Sequence, residues 1–185
     1  MKINLPDGSS KELEIGSNGL DLAKSIGAGL AKSAVAVTVN GEQRDLLDEL
    51  SENSSVSIIT IESEEGLEIM RHTLTAQILA KAIKDLYSDS KLAIGPIIEN
   101  GFYYDVSTKI PISVEDLPKI ENQMKTILEK KSNIVKTLHS KKDAKKIFKE
   151  KGEAFKIEII DDSEQTENFQ IYTNTDEDFI DLCRG

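Results

Sequence analysis

The chain has few side chains able to carry nucleophilic, acid–base or metal chemistry, because its 185 residues include one cysteine and two histidines. His72 lies near the start of a stretch with helical periodicity, and Cys183 lies almost at the end of the sequence. On an α-helix, residues i and i+4 share a face, so a His-x-x-x-His pair would point two imidazoles into one pocket, where they could hold a metal or position a water. The fourth residue after His72 is Ala76, and neither Gln77 nor Ala80 lies where a compensating histidine would be.

Composition places the chain among globular proteins. Hydrophobic residues make up 38% and charged residues 30%, and no apolar run approaches the roughly 20 residues of a membrane span. The N-terminus begins with a strand-and-turn pattern and has no signal-peptide core. A single cysteine rules out an internal disulfide, which fits a reducing compartment, so we predict a cytoplasmic protein without membrane contact.

The charge distribution leaves two interpretations open. A net charge of −10 argues against a generic polyanion binder. Between Lys125 and Lys156, however, 11 lysines stand against four acidic residues. A basic face of this kind is compatible with RNA contact, but it is equally typical of a solvated amphipathic helical hairpin. His139 lies in this region, matches no motif and is predicted to be exposed.

The pattern of short strands around one helix in residues 1–62 predicts a small ubiquitin-like β-grasp domain. Asn40-Gly41, which follows a β-branched run, is the strongest hairpin signal in the chain. Glycines 27 and 29 are predicted to end the helix. The predicted elements are strands Lys2–Leu5 and Lys11–Ile15, helix Leu20–Ile26, and strands Val35–Val39 and Ser55–Ile61.

Residues 66–185 predict a second domain, of α+β type, after the acidic connector Glu62–Gly66. Apolar residues at three- and four-residue steps predict one long helix over Gly66–Tyr87, followed by a β-rich stretch through Tyr104. Possible N-caps at Ser113 and Ser140 support two further helices. These further elements are helices Val114–Lys131 and Lys141–Lys151, and strands Ala154–Ile160 and Phe179–Leu182.

The N-terminal segment resembles a TGS domain, a module found in threonyl-tRNA synthetases, in some GTPases and in stringent-response enzymes. The resemblance implies a binding or packing role without catalytic residues. The matching phrases are Leu5-Pro6-Asp7-Gly8, Asp21-Leu22-Ala23-Lys24-Ser25-Ile26-Gly27, Gly29-Leu30-Ala31-Lys32 and Val39-Asn40-Gly41.

The second segment resembles the editing domain of threonyl-tRNA synthetases. The phrases that carry the resemblance are Arg71-His72, Ile94-Gly95-Pro96-Ile97-Ile98-Glu99-Asn100-Gly101-Phe102-Tyr103-Tyr104-Asp105 and Asp181-Leu182-Cys183-Arg184-Gly185. The site residues that the resemblance implies are His72, Tyr104, Lys156, Asp181 and Cys183. The resemblance places Lys156 on a strand.

The family's two paired motifs, His-x-x-x-His and Cys-x-x-x-His, are incomplete in this sequence. In the family a second histidine stands where this chain has Ala76, and the phrase after Cys-Arg-Gly continues with Pro-His, beyond Gly185. We therefore expect an editing domain truncated at its C-terminus. Two remaining motif positions are too few for a closed zinc site, so we predict no bound metal and no cofactor.

Each implied site residue also has a structural interpretation. A lone histidine on an amphipathic helix is more often structural, and a lone cysteine at a strand end is usually inert. Lys156 would be a strand-edge charge, Tyr104 a core aromatic and Asp181 a turn acid. The resemblance favours chemistry: His72 holds a ribose hydroxyl or water, Lys156 lies near the RNA backbone or terminal ribose, Asp181 binds the substrate amino group, and Cys183 positions the substrate.

The resemblance as a whole implies the N-terminal region of a bacterial-type threonyl-tRNA synthetase, with tRNA(Thr) and mischarged seryl-tRNA(Thr) as partners. The ATP, magnesium and zinc of aminoacylation, and a homodimer interface, would belong to a catalytic core outside this sequence. Ala76 leaves two hypotheses for the editing site. It is either a weakened ester hydrolase or a non-catalytic tRNA-binding appendage, and an engineered Ala76 is a third explanation.

Overall fold

The computed structural model describes residues 1–175 and 178–183. The chain divides between Met70 and Arg71 into two compact units. The boundary falls inside a helix that runs over Glu64–Thr73. Helices and sheets occur in both units, and the predicted α+β class is confirmed.

The first unit is built on a three-stranded antiparallel sheet with β3 in its centre. A separate antiparallel hairpin, β1–β2, is joined to the beginning of β5 by a parallel bridge between Asn4 and Ser55. The elements of this unit are β1 (Lys2–Asn4), β2 (Ser10–Glu12), α1 (Gly19–Ile26), α2 (Ala28–Ser33), β3 (Ala34–Val39), β4 (Glu42–Asp45) and β5 (Val56–Thr60).

Local sequence signals account for most of this unit. Asn40 and Gly41 connect β3 to β4 with φ values of 52° and 88°, as the predicted tight hairpin requires. Asn18 and Asp21 form a capping box at the start of α1. Gly27 ends α1 as predicted, but the short helix α2 follows at once and was not predicted.

The core of the first unit consists of apolar side chains from α1, the three-stranded sheet, strand β1 and the segment between β4 and β5. Its buried members are Ile3, Leu22, Val37, Val39, Leu50 and Val56.

The second unit begins with the long helix that the periodicity predicts, but its middle is not α-helical. The α-helix α3 (Glu64–Thr73) continues into a π-helical segment over Leu74–Leu79 and then into α4 (Ala80–Leu86). The amide of Ala80 donates to the carbonyl of Thr75, five residues earlier, which is the π-type hydrogen bond.

A three-stranded antiparallel sheet with β11 in its centre forms the largest ladder of the second unit. Two short strand pairs, β6 with β9 and β7 with β8, fill the predicted β-rich stretch. These strands are β6 (Lys91–Leu92), β7 (Ile97–Ile98), β8 (Gly101–Phe102), β9 (Val106–Ser107), β10 (Ile134–His139), β11 (Phe169–Asn174) and β12 (Phe179–Leu182).

Both predicted helices in the lysine-rich region are present, as α5 (Leu117–Glu129) after a 3₁₀ turn and α6 (Lys141–Glu150). The unpredicted strand β10 separates them, so the helical hairpin is formed one element later, by α6 and α7 (Ala154–Asp162).

The predicted strand over Ala154–Ile160 is wrong, because these residues begin helix α7. Its apolar residues alternate as in a strand, and tertiary packing overrides that preference. On the helix, Lys156 and Ile160 lie four residues apart and are both buried, and Ile160 packs in a core cluster with Phe148 of α6.

Two clusters form the core of the second unit. One joins the π-helical segment and α4 to α5 and β12, through Ile78, Ala80, Ala82, Ile83, Leu92, Ile120, Ile127 and Phe179. The other joins the α6–α7 hairpin to β11, through Ala144, Phe148, Ile160, Phe169 and Ile171. Within the described ranges, no helix combines the length and apolar character that crossing a membrane requires.

The close packing of α1 against β3 yields a stability prediction. A Cβ at Gly19 would lie 2.3 Å from Val37 Cγ1 and 2.9 Å from the carbonyl oxygen of Leu46, whereas a Cβ at Gly29 has no neighbour within 4 Å. We expect Gly19→Ala to lower the unfolding free energy of the first unit by about 1–3 kcal/mol through overpacking. Gly29→Ala, in helix α2, should leave it unchanged or raise it by up to about 1 kcal/mol.

Hydrogen exchange of the β3 amides measures this difference in the intact chain. Equal protection in the two variants would contradict the packing argument.

Candidate active site

The structure brings together all the side chains that the sequence analysis singled out as site residues. They come from four separate parts of the second unit: α3, the loop between β8 and β9, helix α7, and strand β12 with the residue after it. The residues are His72, Tyr104, Lys156, Asp181 and Cys183.

A buried ion pair lies at the centre of the site. The Lys156 ammonium is 2.6 Å from Asp181 Oδ1, and the exposed fractions of these residues are 3% and 2%. Tyr104 closes the triangle, because its hydroxyl donates to Asp181 Oδ2 at 2.9 Å and accepts from Lys156 at 2.9 Å. The backbone amide of Leu182 also donates to Asp181 at 2.8 Å. A buried pair is tolerated when such hydrogen bonds satisfy its remaining polar atoms.

A second buried carboxylate fixes the start of the helix that carries Lys156. Glu153 precedes α7, forms an ion pair with Lys84 of α4, and accepts a hydrogen bond from the amide of Leu92 at 3.4 Å. Lys84 also donates to the carbonyl of Ser90 at 2.9 Å. These contacts tie α7 to α4 and β6, so the position of Lys156 depends on residues distant in sequence.

The absence of a side chain at Gly95 allows Tyr104 to reach the site. A Cβ at Gly95 would lie 2.5 Å from Tyr104 Cδ2 and 2.5 Å from Thr75 Cγ2. The amide of Asp105 donates to the carbonyl of Ile94 at 2.8 Å, so the two backbone segments are also held together. Any larger residue at position 95 would separate the tyrosine from the π-helical segment.

His72 and Cys183 form the other half of the site. The imidazole Nε2 lies 2.6 Å from the Cys183 sulfur. The amide of Cys183 donates to the carbonyl of Gln170 at 3.2 Å, which continues the pairing with β11 past the end of β12. In this contact the thiol donates to an unprotonated ring nitrogen, or the ring N–H donates to the sulfur, depending on the tautomer of the imidazole.

Burial sets the protonation states available here. Desolvation lowers the pKa of His72, and the Asp181 carboxylate partly opposes that shift. Burial also raises the pKa of Asp181, against the Lys156 ammonium and the hydrogen bonds from Tyr104 and Leu182. The pKa of Tyr104 is raised by burial and by Asp181, so its hydroxyl stays protonated. A neutral imidazole near pH 7 can accept a proton from a bound hydroxyl or water.

Three further predictions concern Ala76, metals and the end of the chain. Ala76 is 5% exposed and lies in the π-helical segment. Among residues 1–175 and 178–183, no group of three or more His, Cys, Asp or Glu side chains is arranged to hold a metal, and the predicted lack of a metal stays a prediction. Arg184 and Gly185, the end of the predicted motif, lie outside the described residues.

Outside this cluster, His139 lies half-buried on β10 and contacts the Thr137 hydroxyl at 2.8 Å.

Sequence reasoning missed Gly95 and Glu153 as supporting residues and placed Lys156 on the wrong kind of element. The Gly95-Pro96 pair was visible in the motif, but only its neighbours in space reveal why the glycine is needed. For Glu153, no local signal announces the ion pair with Lys84, since 69 residues separate the two.

Comparison with known proteins agrees with the resemblance to a TGS domain and to threonyl-tRNA synthetases. The TGS domain model matches residues 1–60. The whole chain is 43% identical to a threonine–tRNA ligase of Oceanobacillus iheyensis and 44% identical to one of Anoxybacillus flavithermus, and it is 46% identical to threonine–tRNA ligase 1 of Bacillus subtilis. All 185 residues are covered in each case, and the chain spans 28% of the length of these relatives. The chain therefore contains a TGS domain and is similar over its full length to the N-terminal part of threonine–tRNA ligases.

The buried pair predicts a strongly coupled effect on stability. Lys156→Met leaves the Asp181 carboxylate buried without its cation, so we expect it to lower the unfolding free energy by about 3–5 kcal/mol. Combined with Asp181→Asn, the loss should be clearly smaller than the sum of the single losses. Urea unfolding followed by circular dichroism measures all three variants.

Lys145→Met is the matched control, because its ion pair with Asp161 is 2.6 Å long but about half exposed. Its loss should not exceed about 1 kcal/mol. Additive losses for Lys156 and Asp181 would contradict the proposed coupling.

The environment of His72 predicts its titration. We expect its imidazole to titrate below the ordinary pKa of about 6.5, because burial disfavours the cation. Asp181→Asn removes the carboxylate that favours the cation, so the midpoint should move to still lower pH. Proton NMR of the imidazole in a His139→Gln background, which leaves one histidine, measures both. A midpoint above 6.5, or an upward shift in Asp181→Asn, would contradict this account.

Proposed function

Because the chain matches the N-terminal part of threonine–tRNA ligases along its whole length, we propose that it is the N-terminal region of such an enzyme and that its second unit hydrolyses seryl-tRNA(Thr). The convergence of His72, Tyr104, Lys156, Asp181 and Cys183 in one cluster carries this proposal. Its partners are then tRNA(Thr) and the remainder of the synthetase, in the cytoplasm. The ATP, magnesium and zinc of threonine attachment, and any dimer interface, are held by parts of the enzyme outside this sequence.

Limited discrimination between threonine and serine explains the need for such a site. The two amino acids differ by one methyl group, and a pocket distinguishes a missing methylene by only about 1–3 kcal/mol. A second site that hydrolyses the smaller, wrong product supplies the remaining selectivity. Threonyl-tRNA(Thr) is spared because its additional methyl group does not fit.

The chemistry required is hydrolysis of an aminoacyl ester, which needs an oriented water and a proton acceptor. His72, kept neutral by burial, accepts a proton from the water or from the adjacent ribose hydroxyl. Asp181 is 2% exposed and both of its oxygens already accept hydrogen bonds, so its carboxylate favours the substrate ammonium group through its charge and not by direct contact. Cys183, in contact with His72, positions the imidazole and the substrate and does not attack the ester.

Burial changes the role that we assign to Lys156. An ammonium that is 3% exposed and paired with Asp181 does not reach an RNA backbone on the surface. Its function is to keep the aspartate ionised and Tyr104 in place. The RNA contact, if it uses lysines, belongs to the exposed lysines of the α5–α7 region.

Ala76 supports the alternative function, a tRNA-binding appendage that no longer hydrolyses esters. A methyl group at this position offers no hydrogen bond and no base. The proposed hydrolase must therefore work with one imidazole, and we expect a slow but serine-selective activity.

The test is the deacylation of seryl-tRNA(Thr) and threonyl-tRNA(Thr) by the 185-residue chain. We expect selective hydrolysis of the seryl ester, and a loss of about 10²–10⁴-fold in His72→Ala, because the proposed general base is removed. His139→Ala is the matched control and should keep full activity, because its imidazole contacts Thr137 on β10. Ala76→His tests whether a second imidazole at that position raises the rate.

Two results would reject the proposed editing site: equal hydrolysis rates for the two esters, and an activity that survives His72→Ala. If no ester is hydrolysed while tRNA(Thr) still binds, the appendage is the correct function.

A further inference from the structure

Gln77 is a buried polar residue that the proposed mechanism does not use. It is 3% exposed, and neither its Nε2 nor its Oε1 has a hydrogen-bond partner among the described residues. Leaving a buried donor or acceptor unsatisfied costs about 1–3 kcal/mol. Such a group in a folded protein therefore needs an explanation, and a bound ligand is one.

The helix around Gln77 has π-helical instead of α-helical hydrogen bonding. Gln77 lies inside the π-helical segment, in which the bond from Ala80 to Thr75 spans five residues instead of four. Residues five apart on a π-helix are related approximately as residues four apart are on an α-helix. His72 lies in α3, two residues before the π-helical segment begins, so we infer that the wider turn after it moves the residue one turn beyond His72 from Ala76 towards Gln77.

Neighbouring contacts place this segment beside the candidate active site. A Cβ at Gly95 would touch both Thr75 and the Tyr104 ring, so the segment lies against the aromatic side chain of the site. The segment also packs against β12, which carries Asp181. The Thr75 hydroxyl donates to the carbonyl of Arg71 at 2.8 Å and thereby supports the backbone next to the π-turn.

We propose that the carboxamide of Gln77 is a hydrogen-bonding group of the candidate active site, brought next to His72 by the π-turn in place of residue 76. Its ligand is a hydroxyl group at the ester: the seryl hydroxyl, the ribose hydroxyl or the water that attacks. The inference rests on the proposed function for the identity of this ligand.

The chemistry of an amide defines what Gln77 does. A carboxamide both donates and accepts hydrogen bonds, which suits a hydroxyl, but it does not take up a proton near pH 7. Gln77 therefore orients the ligand, while His72 remains the proton acceptor. Both amide atoms gain partners when the ligand is bound.

The position of Gln77 is tested without any assay of activity. Co²⁺ binding, followed by its absorption spectrum, reports which residue lies on the same helix face as His72. Two imidazoles on one helix face bind such a metal together with a thiolate. With Cys183 beside His72, Gln77→His should bind Co²⁺ at least about tenfold more tightly than Ala76→His, and His72→Ala in the Gln77→His background should abolish the gain. Equal binding, tighter binding by Ala76→His, or no binding by either would overturn the inference.

The use of Gln77 is tested by NMR of its side-chain amide. The probe is an adenosine that carries serine through a 3′-amide bond, which resists hydrolysis, and the comparison probe carries alanine. Chemical-shift changes of the Gln77 amide with the seryl probe alone identify the seryl hydroxyl as the partner. Changes with both probes identify the ribose hydroxyl or a water held by the aminoacyl linkage.

Failures of the two proposals are distinguishable. If the seryl probe shifts the His72 imidazole but not the Gln77 amide, the inference falls and the proposed function stands. If the probe shifts neither residue, both proposals fall.

Gln77→Leu is the further variant. Its unfolding free energy should be equal to or higher than that of the unmodified chain, because an unsatisfied amide is removed. Its affinity for the seryl probe should fall about tenfold. Unchanged affinity would also overturn the inference.

Discussion

Two opposite charges buried against each other constrain how the elements of the second unit dock. Lys156 and Asp181 would each be expensive to bury alone, and together they remain acceptable because Tyr104 and the amide of Leu182 complete their hydrogen bonds. These groups come from helix α7, strand β12 and the loop after β8. The elements must therefore be docked correctly before the charges are satisfied, and a misdocked element would leave a charge unpaired.

The surroundings of the pair extend this constraint outward. Glu153 and Lys84 form a further buried contact that holds the beginning of α7 to α4. Gly95 has no side chain, so the ring of Tyr104 approaches closely enough to donate to Asp181. The contact between His72 and Cys183 then sets one edge of the site. Rigid supports of this kind are what a hydrolytic site needs, because small displacements of a catalytic group are costly in rate.

The π-turn changes how Ala76, four residues after His72, is interpreted. Counted along an α-helix, the residue facing His72 is an alanine, and the site would have lost a polar group without compensation. In the arrangement that we propose, the π-turn gives that relation to the buried amide of Gln77. The weakened hydrolase and the non-catalytic appendage thus differ in whether the Gln77 amide binds a ligand. The identity of one residue is not sufficient to decide between them.

Local signals determined a large part of this protein. The Asn40-Gly41 turn, the capping box at Asn18 and the periodicity after Gly66 depend on neighbouring residues only, so the hairpin, α1 and the long helix were predictable. The motif phrases likewise identified the residues that now meet in one cluster.

Tertiary structure decided the remainder. The alternation in Phe155–Ile159 predicts a strand, but packing against α6 selects a helix and buries Lys156. The contact of His72 with Cys183 spans 111 residues, and the need for a glycine at position 95 exists only once Tyr104 and Thr75 lie on either side of it. The π-turn was likewise not predicted, since the periodicity after Gly66 indicated a continuous α-helix, whereas the bond from Ala80 to Thr75 spans five residues.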